Sequence, residues 1–501
     1  MAEKSLRFAR NMGFNALGQT ALAAINFLTV PYLVRHMGTE TYGLYLIMYA
    51  AASYLQLSSL GADASVVKHV AAAQGARNRR ALHDALRYSA WFHALGALAA
   101  GAGLWWGARF VAVRVFHVPA PLASEAVFVL RGVAVSGIFF GVILGVSSVL
   151  AGLQRFDFQS AMTLLQNGLM TLGAAALVAL GFGLRAVVVW YGLLNVLLAL
   201  AAAAVVWRLL QPVRQYHAGR PLSLRTFTLF ALTPWSAALA GVVANQFDKL
   251  LIARQLSLAA LTLYSVPAGL LQRLQIVPAT VGTVAGAMMF ELQGPEDDES
   301  LCRMCFKSSR FILWVCLPIL VVLFVFMPQF LSLWLGGQFS EASCWPARLL
   351  VLAQVCYMLN TGPSLVSFAR DHPWYVPAWA WSQALLSLLA WRIFIPRYGL
   401  MGVAEGSLIA IALPTAANLW LVNRRLLKVP LSRYAGEVLY APFLSATLML
   451  ALLFPTHALA TGWLRLVGLA TAGVLVYYGT TWALLGEEDH ALLRRFLRWE
   501  K

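Results

Sequence analysis

"NMGFNALGQTALAAINFLTVPYLV", residues 11–34, is a run of 24 residues without a single charged side chain. A helix needs about 20 mostly apolar residues to cross a hydrocarbon core of roughly 30 Å, so this run can span a membrane. A secretory signal is the competing reading. Lys4, Arg7 and Arg10 form a basic front, and Ala21–Ala24 (ALAA) resembles a cleavage site. The apolar run is longer than the roughly 7–15 residues of a signal core, and a second span follows it. It is read as an uncleaved first helix.

The same pattern recurs to the end of the chain. Fourteen spans are expected, at 11–34, 42–61, 88–107, 127–150, 160–182, 187–207, 228–247, 261–290, 311–334, 346–369, 374–395, 400–421, 437–456 and 463–485. Of the 501 residues, 60% are hydrophobic and only 11% charged, against about 25% charged in soluble proteins. Mean hydropathy is +0.72. Segments of about 10 residues with alternating polarity, the mark of a membrane barrel, do not occur. The expected fold is an all-α polytopic membrane protein.

Lys and Arg resist translocation, so their distribution sets the orientation. An even number of spans puts both termini on one side. With the termini inside, inner segments hold 25 of the 37 Lys and Arg, and both ends are expected in the cytoplasm. The net charge of +17 then reflects inner loops and anionic lipid headgroups; nucleic acid is not an expected partner.

Residues 62–87 have a helical, amphipathic pattern expected to lie along the cytoplasmic surface. "EDDE" (Glu296–Glu299) reads as a solvated loop. Cys302 and Cys305 form a CxxC, but no second pair and no nearby His completes a zinc site. They read as loop thiols, and neither metal nor cofactor is expected. No Walker-type phosphate loop occurs and no loop is domain-sized, so the chain is not expected to be an enzyme.

An offset of 219 residues superposes spans 1–2 on spans 7–8. It brings Asn26 onto Asn245, Arg35 onto Arg254, Leu44-Tyr45 onto Leu263-Tyr264, and Leu55-Gln56 onto Leu274-Gln275. Transporters are often built from such repeats, with the binding site between them. The expected organisation is a six-helix lobe over 1–208, a cytoplasmic linker over 209–227, a second six-helix lobe over 228–422, and two further helices with a tail over 423–501.

"SLRFARNMGFNALGQ" followed by "VPYLVRHMGTETYGLY" resembles the start of oligosaccharide flippases of the polysaccharide-biosynthesis (O-antigen flippase-like) family. Pro31, Gly38, Tyr42 and Gly43 fill the pattern that follows span 1 there. "LAGLQRF" (150–156), "NQFDKLLIARQLSLAALTLYS" (245–265) and "FLSLWLGGQFSEA" (330–342) are similar to further family segments, although Leu261-Thr262 replaces a more usual Gly before Tyr. That family shares a superfamily with multidrug exporters and the lipid II flippase. The resemblance implies two six-helix lobes around a central cavity, in the bacterial cytoplasmic (inner) membrane. It also implies alternating access that carries an undecaprenyl-diphosphate-linked oligosaccharide from the inner to the outer leaflet. The lipid-linked oligosaccharide and membrane lipids are then the partners, with the pathway's polymerase and glycosyltransferases as further candidates.

A diphosphate and sugars need a polar, cationic cavity. Arg273 lies about thirteen residues into span 8 with Gln272 and Gln275 beside it. An intramembrane Arg usually faces a bundle interior or aqueous cavity, and guanidinium pairs bidentately with phosphate. Pairing with another helix is the competing role. Arg131, four residues into span 4, can instead snorkel outward. Asn15, Gln19 and Asn26 share one face of span 1, and Gln56, Asn245 and Gln246 can line the same space or bond between helices. Asp248 and Lys249 mark the outer end of span 7, as an interfacial cap, a local ion pair or an outer gate. Pro234, Pro267, Pro278, Pro318 and Pro363 supply kinks. A cation-coupled multidrug exporter is the alternative. It generally needs a carboxylate at the midplane, whereas Asp63, Asp248, Glu405 and Glu437 fall in loops or near span ends. A membrane polymerase or ligase would need an outer loop larger than any found here.

Overall fold

The computed structural model describes residues 2–211, 219–290, 292 and 297–484, with side chains from Ala21 onward apart from Ala287. Helices account for nearly all of it, and no strand occurs among the described residues. Among the described residues, eleven helices are long and apolar enough to cross a membrane. The other three expected spans fall on the first helix and on two broken ones. The chain divides into two compact units, Met1–Ser265 and Val266–Lys501.

The first unit holds α1 (Ala2–Met37), α2 (Thr39–Gln56), α3 (Ala62–Gly75), α4 (Arg79–Phe110), α5 (Ala120–Gly152), α6 (Phe156–Ala179), α7 (Leu184–Leu210) and α8 (Leu224–Gln255). Lipid tails are as apolar as the side chains, so close packing and polar contacts must hold these helices together. Small residues supply the closeness. A Cβ on Gly101 of α4 would meet Ala134 O of α5 at 2.8 Å, and one on Gly141 of α5 would meet His93 O of α4 at 3.2 Å.

The second helix breaks in an informative way. After α2 comes a 3-10 turn, Leu57–Ser59, and then two left-handed residues, Leu60 (φ 50°) and Gly61 (φ 76°), before α3 resumes. Gly61 is required twice over: by its φ, and because a Cβ there would lie 2.1 Å from Ala231 O. α3 does not lie on the surface as expected. It packs against α4, α5 and α8, burying Ala62, Val66, Val70 and Ala73 against Leu82, Ala85, Val149 and Phe227. Residues 62–87 are therefore a tight hairpin of packed helices. Their apolar stripe faces protein, a distinction that amphipathicity alone cannot make.

α9 (Leu258–Gln272) straddles the unit boundary. The second unit continues with α10 (Ile276–Met289), α11 (Asp298–Leu335), α12 (Gly337–Leu359), α13 (Thr361–Ala369), α14 (Tyr375–Tyr398), α15 (Leu400–Arg425), α16 (Leu431–Tyr434), α17 (Tyr440–Thr456) and α18 (Trp463–Leu484). α17 and α18 pack on α11, where Tyr477 OH reaches Leu313 O at 3.4 Å. With 38 residues at about 1.5 Å each, α11 is longer than a hydrocarbon core of roughly 30 Å. Cys302 and Cys305 are buried on α11. This corrects their reading as loop thiols: the helix starts earlier than its apolar run.

Of the "EDDE" cluster, Glu296 lies outside the described residues. Asp298 and Glu299 open α11, where carboxylates complement the helix dipole. Asp298 pairs with Arg370, and Glu299 with Arg433 at 2.8 Å. The cluster therefore ties helix ends together, which corrects its reading as a loop.

The offset of 219 is visible in the helices. α2 and α9 begin at Thr39 and Leu258, α4 and α11 at Arg79 and Asp298, α6 and α14 at Phe156 and Tyr375. Each of these three pairs differs by 219.

Candidate functional site

The helix that the offset of 219 aligns with the broken second one is also broken. Between α9 and α10 lies a 3-10 turn, Arg273–Gln275. Pro278 explains it: proline has no N–H to offer Leu274 O, and its ring crowds that carbonyl. Arg273 sits on this turn, exposed, with neither hydrogen bond nor ion pair to any described residue. Gln272 is half-buried beside it. Gln275 donates to Gln354 Oε1 of α12 at 3.2 Å. The second unit thus gathers Arg273, Gln272, Gln275 and Gln354 at one helix break.

The first unit has its own polar group. On α8, Lys249 Nζ donates to Asn245 O at 2.9 Å and to Gln246 Oε1 at 2.6 Å. Tyr54 of α2, two residues before the exposed Gln56, donates to Gln246 O at 3.1 Å. Asp248 differs from the expected solvated span end. It is buried, 8% exposed, because α8 runs on for seven residues to Gln255. Its Oδ1 accepts from the backbone N–H of Lys249 at 2.8 Å, while the Lys249 ammonium turns back along the helix, away from an ion pair with it.

Other candidates stand apart. Arg131 is exposed, with its guanidinium 5.2 Å from the ring centre of Trp105 on α4. Asn26 is satisfied within its own helix, donating to Leu22 O at 2.7 Å. Asn15 and Gln19 lie on α1, with side chains outside the described residues.

Sequence reasoning missed a third cluster, around Asp63. Its carboxylate meets His93 Nε2 of α4 at 2.8 Å, Ser59 Oγ at 2.7 Å and Ser148 Oγ of α5 at 3.1 Å. The available signal was His93, a lone ionisable residue within the span-3 run "AWFHALGALAAG"; such residues mark functional sites by default.

The sequence model of the family described as "Polysaccharide biosynthesis protein" matches residues 8–293. A Shigella flexneri protein described as an O-antigen transporter is 21% identical over 434 residues, covering 83% of this chain and 97% of its own length. Among solved structures, the lipid II flippase MurJ in an inward closed conformation superposes with a TM-score of 0.73 at 12% identity, covering 93% of this chain and 98% of that one. An inward-facing multidrug resistance MATE transporter follows at 0.65 and 15% identity, covering 82% and 99%. At these identities the structures establish the fold alone. The family match spans more than half of the chain and includes both the Asp63 cluster and the Arg273 turn: this multi-pass membrane protein belongs to the polysaccharide biosynthesis protein family.

Proposed function

We propose that the protein is a flippase for an undecaprenyl-diphosphate-linked oligosaccharide. It moves this substrate from the inner to the outer leaflet of the bacterial cytoplasmic membrane by alternating access, with both termini cytoplasmic. Arg273 carries the substrate assignment. Holding an unpaired guanidinium within an apolar span is unfavourable by at least about 2.5 kcal/mol, so an anionic partner is the natural occupant. A diphosphate offers guanidinium the bidentate geometry it favours, and Gln272, Gln275 and Gln354 offer amides to sugar hydroxyls. Six-helix repeats over 1–208 and 228–422 supply the moving parts, with 423–501 as an appendage. The relatives' descriptions as an O-antigen transporter and a lipid II flippase support a lipid-linked glycan as cargo.

The test is export of surface polysaccharide in a bacterium lacking its own flippase. Arg273→Ala, inserted at wild-type level, should abolish complementation; full complementation would sink the assignment.

A cation-coupled multidrug exporter is the second reading. Asp248, expected at a solvated boundary, is a buried carboxylate, and multidrug transporters share the fold. Drug resistance without glycan export in the same strain would favour it.

A further inference from the structure

The Asp63 cluster has a proton count that follows from hydrogen-bond direction. His93 Nδ1 lies 2.8 Å from Ser89 O. A backbone carbonyl can only accept, so Nδ1 carries a hydrogen. The other ring nitrogen, Nε2, lies 2.8 Å from Asp63 Oδ1. In a neutral imidazole that nitrogen presents a lone pair, and a carboxylate presents only lone pairs. A contact this short therefore contains one more proton, on the ring or on the carboxyl. We propose that Asp63 and His93 form a proton-binding site at the break of the second helix, holding one proton in the packed state and parting when it leaves.

The site is built for this. His93 is 3% exposed and Asp63 42% exposed in their side chains, so the pair is buried on one side and open to exchange on the other. α5 makes room for the ring with Gly145, where a Cβ would meet His93 Cγ at 3.1 Å. The Ser59 and Ser148 hydroxyls donate to the carboxylate, but each also has a helix carbonyl within reach, Gln56 O at 3.2 Å and Leu144 O at 2.9 Å. A hydroxyl has one hydrogen, so each can switch between acid and backbone. Ser59 itself lies in the 3-10 turn, which puts the carboxyl in direct contact with the break.

Among the described residues, no other titratable group faces the pair. α5 has none between Arg131 and Arg155, and α8 has none between Arg225 and Asp248. At this level α8 presents Ala231 and Trp235. On α4 the nearest are Tyr88, whose hydroxyl donates to Leu222 O, and Asp84, which accepts from Leu222 N–H. His83 and Arg87 lie exposed beyond them. On α3 itself, Lys68 lies 3.8 Å over the ring of Phe230 and His69 packs beside Phe227. The turn has no titratable group.

Loss of the proton leaves two lone pairs opposed at hydrogen-bond distance, so the α3–α4 contact weakens there. Above about pH 6.5, the ordinary imidazole value, the freed ring is neutral, so the packed state binds one proton more than the opened one and opening grows as pH rises. The test is hydrogen exchange by mass spectrometry on the purified full chain in detergent, following peptides over residues 55–70 across pH 5.5–9.5 with the intrinsic chemical dependence removed. Wild type should show an alkaline limb on which the opening constant rises about tenfold per pH unit, the slope of one proton. Asp63→Asn and His93→Gln can each make the bond without the extra proton, through an amide N–H. Both should be protected at every pH. A flat wild-type profile, or a limb surviving in either variant, overturns the proposal. So does protection that follows sodium against choline at fixed pH, which would make the occupant a metal cation. Substrate is absent throughout, so the outcome is independent of the flippase reading.

Discussion

Trp235 of α8 donates its indole N–H to Leu57 O, 3.0 Å away, in the turn where the second helix breaks. That carbonyl also accepts from Leu60 N–H at 3.1 Å. A helix end inside a bilayer must satisfy its polar groups within the protein, and here a neighbouring helix contributes. Trp235→Phe keeps the aromatic bulk and removes the donor. It should lower stability by about 1 kcal/mol, read as a lower unfolding midpoint in detergent.

Gly61 is far less tolerant. Its left-handed φ costs a side chain about 1–2 kcal/mol, and a Cβ would overlap Ala231 O. Gly61→Ala should collapse the monodisperse fraction in fluorescence-detected size exclusion. Gly75→Ala, where a Cβ meets nothing within 4 Å, should match wild type or exceed it.

The two intramembrane arginines should separate functionally. Arg131 rests on Trp105, so Arg131→Ala should leave glycan export within about twofold of wild type, the scale of losing a contact worth about 0.5 kcal/mol. Arg273→Lys keeps the charge but loses the planar fork, and export should fall between wild type and Arg273→Ala. Equal losses at the two positions would mean that neither contact has been understood.

Asn418 Nδ2 donates to Asn360 Oδ1 at 2.7 Å, and both side chains are buried. A double-mutant cycle with Leu at both positions should give a coupling of about 0.6–1.7 kcal/mol, the range for polar pairs between membrane helices. Additive losses would show that the amides act separately.

The spans were legible in the sequence because hydropathy reports what the bilayer demands. The breaks were less so. Pro278 announces one of them, but Leu60 and Gly61 look like ordinary members of an apolar run, and the close approach of Gly61 to α8 shows only once the helices are packed. Residues 62–87 were misplaced because an apolar stripe reads alike whether it faces lipid or protein. Among the site candidates, Arg273 kept its interest since no described helix answers its charge, whereas Asn26 turned out to bond its own backbone. Asp63 and His93 lie thirty residues apart, and only the hairpin of α3 and α4 joins them.

The offset of 219 carries Ser59, Asp63 and His93 onto Pro278, Gly282 and Ile312. The two helices that this offset aligns both bend, but by different chemistry. In the second unit a proline ring makes the bend permanent. In the first, the bend abuts an acid and an imidazole that the second unit lacks at the aligned positions. On the proposal above, one joint is fixed and the other conditional, so a Pro at the first bend would turn a conditional joint into a fixed one.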